Sequence, residues 1–355
     1  MNRFVAEKEY HTEINVNDVT SLFTLITNPH KLFAEQSGVD VKGYKTDYEN
    51  VFNRVFLDYT DVEPQHKTMY EKDYLFTDFW GPFVFRGQEK QAWPLETTQY
   101  REYMRLGKKP AGKSLFDEEL KILREFQRQY KRFETARPID PKDYYEWFAV
   151  MQHYGAPTRF LDFSYSFYVA LYFASNNVLF QDTDTASFSV YAINRPWLEK
   201  RYKKFLPADI LDLYTDPVHG DSFGKSYLIQ EKIVNSKKRP FKSVINMSPF
   251  HINSRLAFQK GLFLFPTDID CPFMENLEAM LVSGTGGHIN DKVLKINIEL
   301  SCVDLIYLYR QLDTMNIGAQ TLFENKLDSL GDMLKRKLIE GRYSDVLSLN
   351  KQQKV

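Results

Sequence analysis

Phe85-Arg86-Gly87 closes a short apolar run that starts at the Gly81-Pro82 break. An arginine at a strand end, followed by glycine, can present a fixed guanidinium fork to a cleft. That fork matches a phosphate or diphosphate as lysine's point charge does not. The plainer reading is a surface arginine paired with Glu89 or Glu96. A second dense cluster is His153-Tyr154-Gly155-Ala156-Pro157-Thr158-Arg159. His153 falls at an expected helix C-terminus, where the macrodipole favours its protonated form; it could cap the helix, bind phosphate or act as an acid–base group. Asp162 lies in an otherwise apolar run and needs a partner if buried, which Arg159 or a backbone N–H could supply. Ser164-Tyr165-Ser166 precedes an apolar helix. Its hydroxyls can position a ribose or simply cap that helix, and its ring can stack on a flat heterocycle. Gln259 is a polar group in the apolar stretch 256–265, read as a strand; an edge or turn glutamine is its plainer role.

Metal chemistry finds no ligand pattern. The seven histidines form no His-Glu-x-x-His pair, and Cys271 and Cys302 are too few for a Cys-rich zinc site, so they are expected as reduced thiols. Ser283-Gly284-Thr285-Gly286-Gly287-His288 is glycine-rich but has neither the Walker lysine nor Rossmann spacing. The 46 basic and 47 acidic residues give a net charge of −1, so a nucleic-acid site would have to be a local basic patch. Candidate patches are Lys108–Lys113, Lys121–Arg132 and Lys237–Arg239. No apolar run reaches the roughly 18 residues of a membrane span, and the N-terminus lacks a signal-peptide core, so a cytoplasmic protein without a membrane partner is expected. The 28 Phe, 22 Tyr and 4 Trp supply stacking surfaces as well as core.

The elements needed to place these residues can be read from caps and periodicity. Residues 1–80 read as a mostly helical extension, with Asn17 or Asp18 capping a helix that carries Leu22, Phe23, Leu25 and Ile26. The run at 83–87 is a strand. Ser114 opens an amphipathic helix through Phe133, and Asp140 with Pro141 opens another that Gly155 ends. Residues 158–164 read as a strand and 167–176 as a buried helix capped by Ser164 or Ser166. Further strands are expected at 188–194, 256–265 and 293–300, with a largely helical insertion at 196–250 and terminal helices at 303–315 and 325–340 broken by Gly318. The result is an α+β fold with a mixed sheet.

Four motifs in order resemble the FRG-domain family: Phe85-Arg86-Gly87, the block Gln152–Ser164 running on to Ala170–Ala174, Arg255 with Gln259-Lys260-Gly261-Leu262-Phe263, and Met315–Gly318 with Thr321-Leu322-Phe323. Phe163 stands where the family usually has Trp, Phe160 where it has Leu, and Glu324 where Pro is common. The resemblance implies an FRG domain over 81–340 and a tail at 341–355. The order of Arg86, Ser164-Tyr165-Ser166, Ala170–Ala174 and the Gln259 segment is also similar to ADP-ribosyltransferases of the arginine–serine–glutamate type.

That second similarity implies an ADP-ribosyltransferase-like core using NAD as co-substrate. Arg86, Ser164, Gln259 and His153 would be catalytic; Arg86, Gly87, Arg159, Ser164, Tyr165 and Tyr168 would bind NAD. Because Gln259 is not an acid, Asp162, Glu275 or Glu278 would stabilise the ribosyl cation. The implied protein is an intracellular toxin or anti-phage effector, restrained by an antitoxin, that transfers ADP-ribose to RNA or DNA in preference to protein. Two alternatives stay open: a nucleotide- or RNA-binding module without turnover, and a metal-independent RNase using His153 with Arg86 and Arg159.

Overall fold

A strand buried along nearly its whole length organises the sheet. Residues Thr185–Asn194 carry apolar or small side chains on both faces, as a central strand requires. In the computed structural model, which describes residues 5–7, 12–29, 80–105, 107, 114–133, 138–178, 185–206, 208, 241–247, 254–281, 292–323, 330, 331, 334 and 338, this strand is the fifth of eight. In chain order the elements are β1 (Val5–Glu7), β2 (Thr12–Val16), α1 (Val19–Thr27), β3 (Phe83–Gln88), α2 (Thr98–Met104), α3 (Leu115–Tyr130), α4 (Tyr144–His153), β4 (Leu161–Ser164) and α5 (Phe167–Ser175). They continue with β5 (Thr185–Asn194), α6 (Arg195–Phe205), β6 (Val244–Met247), α7 (Ser254–Phe258), β7 (Gly261–Pro266), α8 (Phe273–Leu281), β8 (Val293–Ser301), α9 (Cys302–Thr314) and α10 (Ala319–Leu322).

The strands run β1-β2-β8-β5-β3-β4-β7-β6 in one mixed sheet. β2 and β8 are parallel; the other neighbours are antiparallel. Helices cover both faces. α1, α5, α9 and α10 pack on one side through Leu22, Leu171, Leu308 and Leu322 against Phe85, Val190 and Ile296. α3, α4, α6 and α8 pack on the other through Leu123, Phe148, Leu198 and Leu277 against Val84, Leu161, Ile193 and Leu264. The α+β class and the mixed sheet are as the sequence indicates.

Caps fall where short polar side chains precede apolar periodicity. Asp18 accepts from Ser21 N at 2.7 Å, Ser114 from Phe116 N at 3.2 Å and Ser166 from Val169 N at 3.4 Å. Other boundaries shift. α4 begins at Tyr144 under Asp143, not at Pro141, because Asp140 instead closes a turn onto Lys142 N and holds the Trp147 indole with its carbonyl. The N-terminal segment is not simply helical. Ile14 and Val16 alternate with Glu13 and Asn15, and that period-2 pattern makes β2 a sheet strand beside β8. Within the expected insertion, Val244–Met247 is a strand paired with β7; Lys237–Arg239 lies outside the described residues, as does Lys108–Lys113. Lys121 and Arg128 on α3 are paired with Glu118 and Glu125 three residues earlier, which makes them members of a solvated charged face.

The sheet is tied to α3 by one buried ion pair. Arg159, 1% exposed, forks onto both carboxylate oxygens of Glu119, 2% exposed. Glu119→Ala, which strands the guanidinium in the core, is expected to cost about 3–5 kcal/mol in urea unfolding, whereas Glu119→Leu combined with Arg159→Met should recover most of that loss. Cys271, a free thiol, gives a second expectation. Burial, with Asp268 and Glu275 nearby, pushes it from 9.0 up to about 12. Its proton is therefore held more tightly in the folded chain, and the associated stability is present below about 9 and lost as pH rises toward 12. At pH 8 iodoacetamide should label the Cys271 peptide far more slowly in the folded protein than in urea, as mass spectrometry will show.

Candidate functional site

The sheet opens in its middle. β3 pairs with β5 along its whole length and β4 pairs with β7 along its whole length, but β3 and β4 share a single paired position, Phe85 with Ser164. Beyond that point the two strands line a cleft of about 290 Å³. Arg86, Gly87, Gln88 and Glu89 come from one wall, Asp162, Phe163 and Ser164 from the other, and Val169, Ala170 and Phe173 of α5 from the floor. Trp93, Arg101 and, across from them, Arg255 and Gln259 complete it.

Gly87 fixes that floor. A Cβ at position 87 would stand 2.1 Å from the Ala170 carbonyl oxygen and 2.6 Å from Ala174 N, so α5 can rest on β3 only over a glycine. Its neighbour Arg86 projects into the gap. Nη1 donates to the Asp162 main-chain oxygen at 2.7 Å, and the Asp162 carboxylate stands 3.9 Å from the same nitrogen. Arg86 Nε is buried with no partner among the described residues. Burial holds the guanidinium below the ordinary arginine value, Arg101 adds to that effect and Asp162 opposes it. An arginine nonetheless stays charged. Three guanidinium groups against two carboxylates, Glu89 and Asp162, give the cleft lining an excess of positive charge.

Asp162 is not the buried carboxylate paired with Arg159 that its apolar setting suggested. Its side chain is 38% exposed at the cleft, and its Oδ2 accepts from Gln152 Nε2 at 2.8 Å. Gln152 is reached from the last turn of α4, which ends as Gly155 takes φ +75°. Ser164 lines the cleft, but its hydroxyl donates to the Gln259 main-chain oxygen at 2.7 Å and accepts from Ser166 N at 2.9 Å. A hydroxyl has one donor and two lone pairs, so Ser164 can accept one hydrogen bond from a ligand while this geometry holds. Gln259 also lines the cleft, though from the turn between α7 and β7 rather than from a strand; its Nε2 donates to Leu322 O at 3.1 Å. The reason is local: Lys260 adopts φ +46°, which breaks the run 256–265 into a helix and a strand.

The remaining expected site residues separate. His153 lines a small recess beside the cleft, with Gln152, Asp162, Arg255 and Gln259. Arg159 is a core residue locked by Glu119, so neither a cofactor role nor an RNase group of His153, Arg86 and Arg159 is assembled. Tyr165 is exposed with Arg195 against its ring, and Tyr168 packs toward Phe23; neither lines the cleft. The exposed ring that does is Trp93, 38% exposed, with Lys90 Nζ 5.3 Å from its centre. Glu275 pairs with Lys242 away from the cleft, and Glu278 does not line it, leaving Asp162 as the one of the three suggested acids that does. Arg101 and Trp93 carry no local sequence signal. Arg255 stood in the third motif, and only its placement shows that it faces the cleft.

Among the described residues no group of three or more His, Cys, Asp or Glu side chains is placed to hold a metal ion, and no helix is long and apolar enough to cross a membrane. Residues 81–183, which carry β3, α2, α3, α4, β4 and α5, match the FRG domain family. That stretch is an FRG-domain match. Its tripeptide supplies Arg86 to the cleft and Gly87 to the α5 contact, and its Gln152–Ser164 block supplies the opposite wall. The motifs with Arg255, Gln259 and Gly318 lie beyond the matched stretch. No curated protein and no solved structure matches the chain.

Gly87→Ala tests whether the FRG glycine is required by packing. The added methyl meets helix backbone, which cannot give way as a flexible side chain would. The variant should lose about 1–3 kcal/mol or more in chemical unfolding, and α5 should shift off β3 in a crystal structure.

Proposed function

We propose that the FRG-domain cleft binds NAD and transfers its ADP-ribose to a macromolecule. The observation that carries this reading is the meeting of three guanidinium groups, an exposed aromatic ring and two carboxylates in a gap between strands. Arg86, Arg101 and Arg255 suit a diphosphate, Trp93 suits a flat heterocycle, and one lone pair of Ser164 suits a ribose hydroxyl. Breaking the nicotinamide–ribose bond releases neutral nicotinamide and leaves positive charge on the sugar, as in glycoside cleavage. Asp162, which lines the cleft, would stabilise that charge by fixed electrostatics. An acceptor hydroxyl or amine then bonds to the sugar carbon and gives up one proton, which balances the transfer.

In this reading the protein is a cytoplasmic toxin or anti-phage effector restrained by an antitoxin. Its acceptor is nucleic acid rather than protein, a reading supported by the basic runs 108–113 and 237–239 of the sequence. The test incubates the purified chain with labelled NAD plus cell RNA, DNA and protein, and follows nicotinamide release and label transfer. The wild type should release nicotinamide and label one acceptor class. Arg86→Ala should lower the rate on the order of 10²-fold or more while its thermal midpoint stays within a few degrees. A folded wild-type protein that binds NAD but leaves it intact in every mixture would make the cleft a nucleotide-binding module.

A further inference from the structure

A hydrogen-bond chain with its direction forced at every link runs from the backbone before β4 to the Arg86 guanidinium. Phe160 N donates to Thr158 Oγ1 at 3.2 Å, and the fully buried Thr158 hydroxyl donates its own proton to Gln152 Oε1 at 2.5 Å. Gln152 Nε2 then donates to Asp162 Oδ2 at 2.8 Å. An ionised carboxylate only accepts, so the amide must turn its nitrogen toward Asp162 and its oxygen toward Thr158. Asp162 closes the chain by accepting Arg86 Nη1 on its main-chain oxygen at 2.7 Å.

The geometry points to Gln152 as a positioning residue for the proposed transfer: its amide, keyed by Thr158, sets the direction of the Asp162 carboxylate in the cleft. The inference rests on the reading that this cleft turns over NAD. Gln152 does not line the cleft itself; it lines only the adjoining recess. One end of its amide holds Asp162, which does line it, and the other end is held by Thr158. Glutamate at this position would set a second carboxylate against Asp162, so the neutral amide is the chemistry the link requires. The bond from Arg86 to the residue 162 main chain does not pass through Gln152, so anchoring of the arginine survives when the amide is lost.

That separation defines the experiment. Gln152→Met keeps length and apolar stem while removing both hydrogen bonds, and Thr158→Val removes only the key. In the full-length chain, nicotinamide release is measured against NAD concentration, with thermal unfolding in parallel. Gln152→Met should lower kcat on the order of 10²-fold, the scale of a misplacement near 1 Å, with KM within about twofold and the unfolding midpoint within a few degrees. Thr158→Val should fall between Gln152→Met and wild type. Wild-type kcat in both variants overturns the positioning role while the transfer reading stands. A kcat loss that merely tracks loss of folded protein in both also overturns it. A wild-type chain that releases no nicotinamide overturns the transfer reading, and this inference with it.

Discussion

Helix α5 can lie on β3 only because residue 87 has no side chain. The Ala170 carbonyl occupies the space a Cβ would take, and Ala170 and Ala174 are themselves small, so helix and strand approach backbone to backbone. With α5 at that depth, Phe85, Phe167 and Trp80 close into one aromatic cluster on the same face of the sheet. The same contact brings Val169, Ala170 and Phe173 up beneath the gap between β3 and β4 as its floor. The glycine of the tripeptide is therefore a packing requirement, and the arginine before it inherits its position from that packing.

A gap in the middle of a sheet leaves backbone groups without strand partners, and such groups are costly when buried. Here the cost is met by side chains. Arg86 caps the Asp162 carbonyl that a longer β3–β4 ladder would have engaged. The segment immediately before β4 is held by the Arg159–Glu119 fork, which anchors it to α3. Two neighbouring motif residues, Thr158 and Arg159, thus face opposite tasks. One serves the cleft through Gln152, and the other serves the core.

That division explains what could be read from the amino-acid sequence. Caps and periodic stripes place α1, α3, α5 and β3 because their signals are local: Asp18, Ser114, Ser166 and an apolar run ended by glycine. That Arg86 faces a cleft was equally legible, since its type and position at a strand end suffice. Arg159 was misread because an arginine in a dense motif gives no hint that its partner, Glu119, lies 40 residues away. Gln259 was misplaced because a non-glycine residue at positive φ, Lys260, interrupts an apolar run that otherwise has strand character. β2 was missed because four or five alternating residues weigh little in a segment rich in charge. Trp93 and Arg101 reach the cleft by tertiary placement alone.

Arg86 itself shows why lysine would not serve. A guanidinium carries five N–H donors in a rigid plane, and one of them, on Nη1, is committed to the Asp162 carbonyl. Lysine could make that bond, but its ammonium would then lie at the strand edge with no fork left to present. Arginine keeps its remaining donors directed from a plane whose tilt the first bond sets, and Nε is buried with no partner among the described residues. An uncompensated buried donor is expensive. The bond to the Asp162 carbonyl and the charge that would receive a diphosphate therefore belong to one side chain.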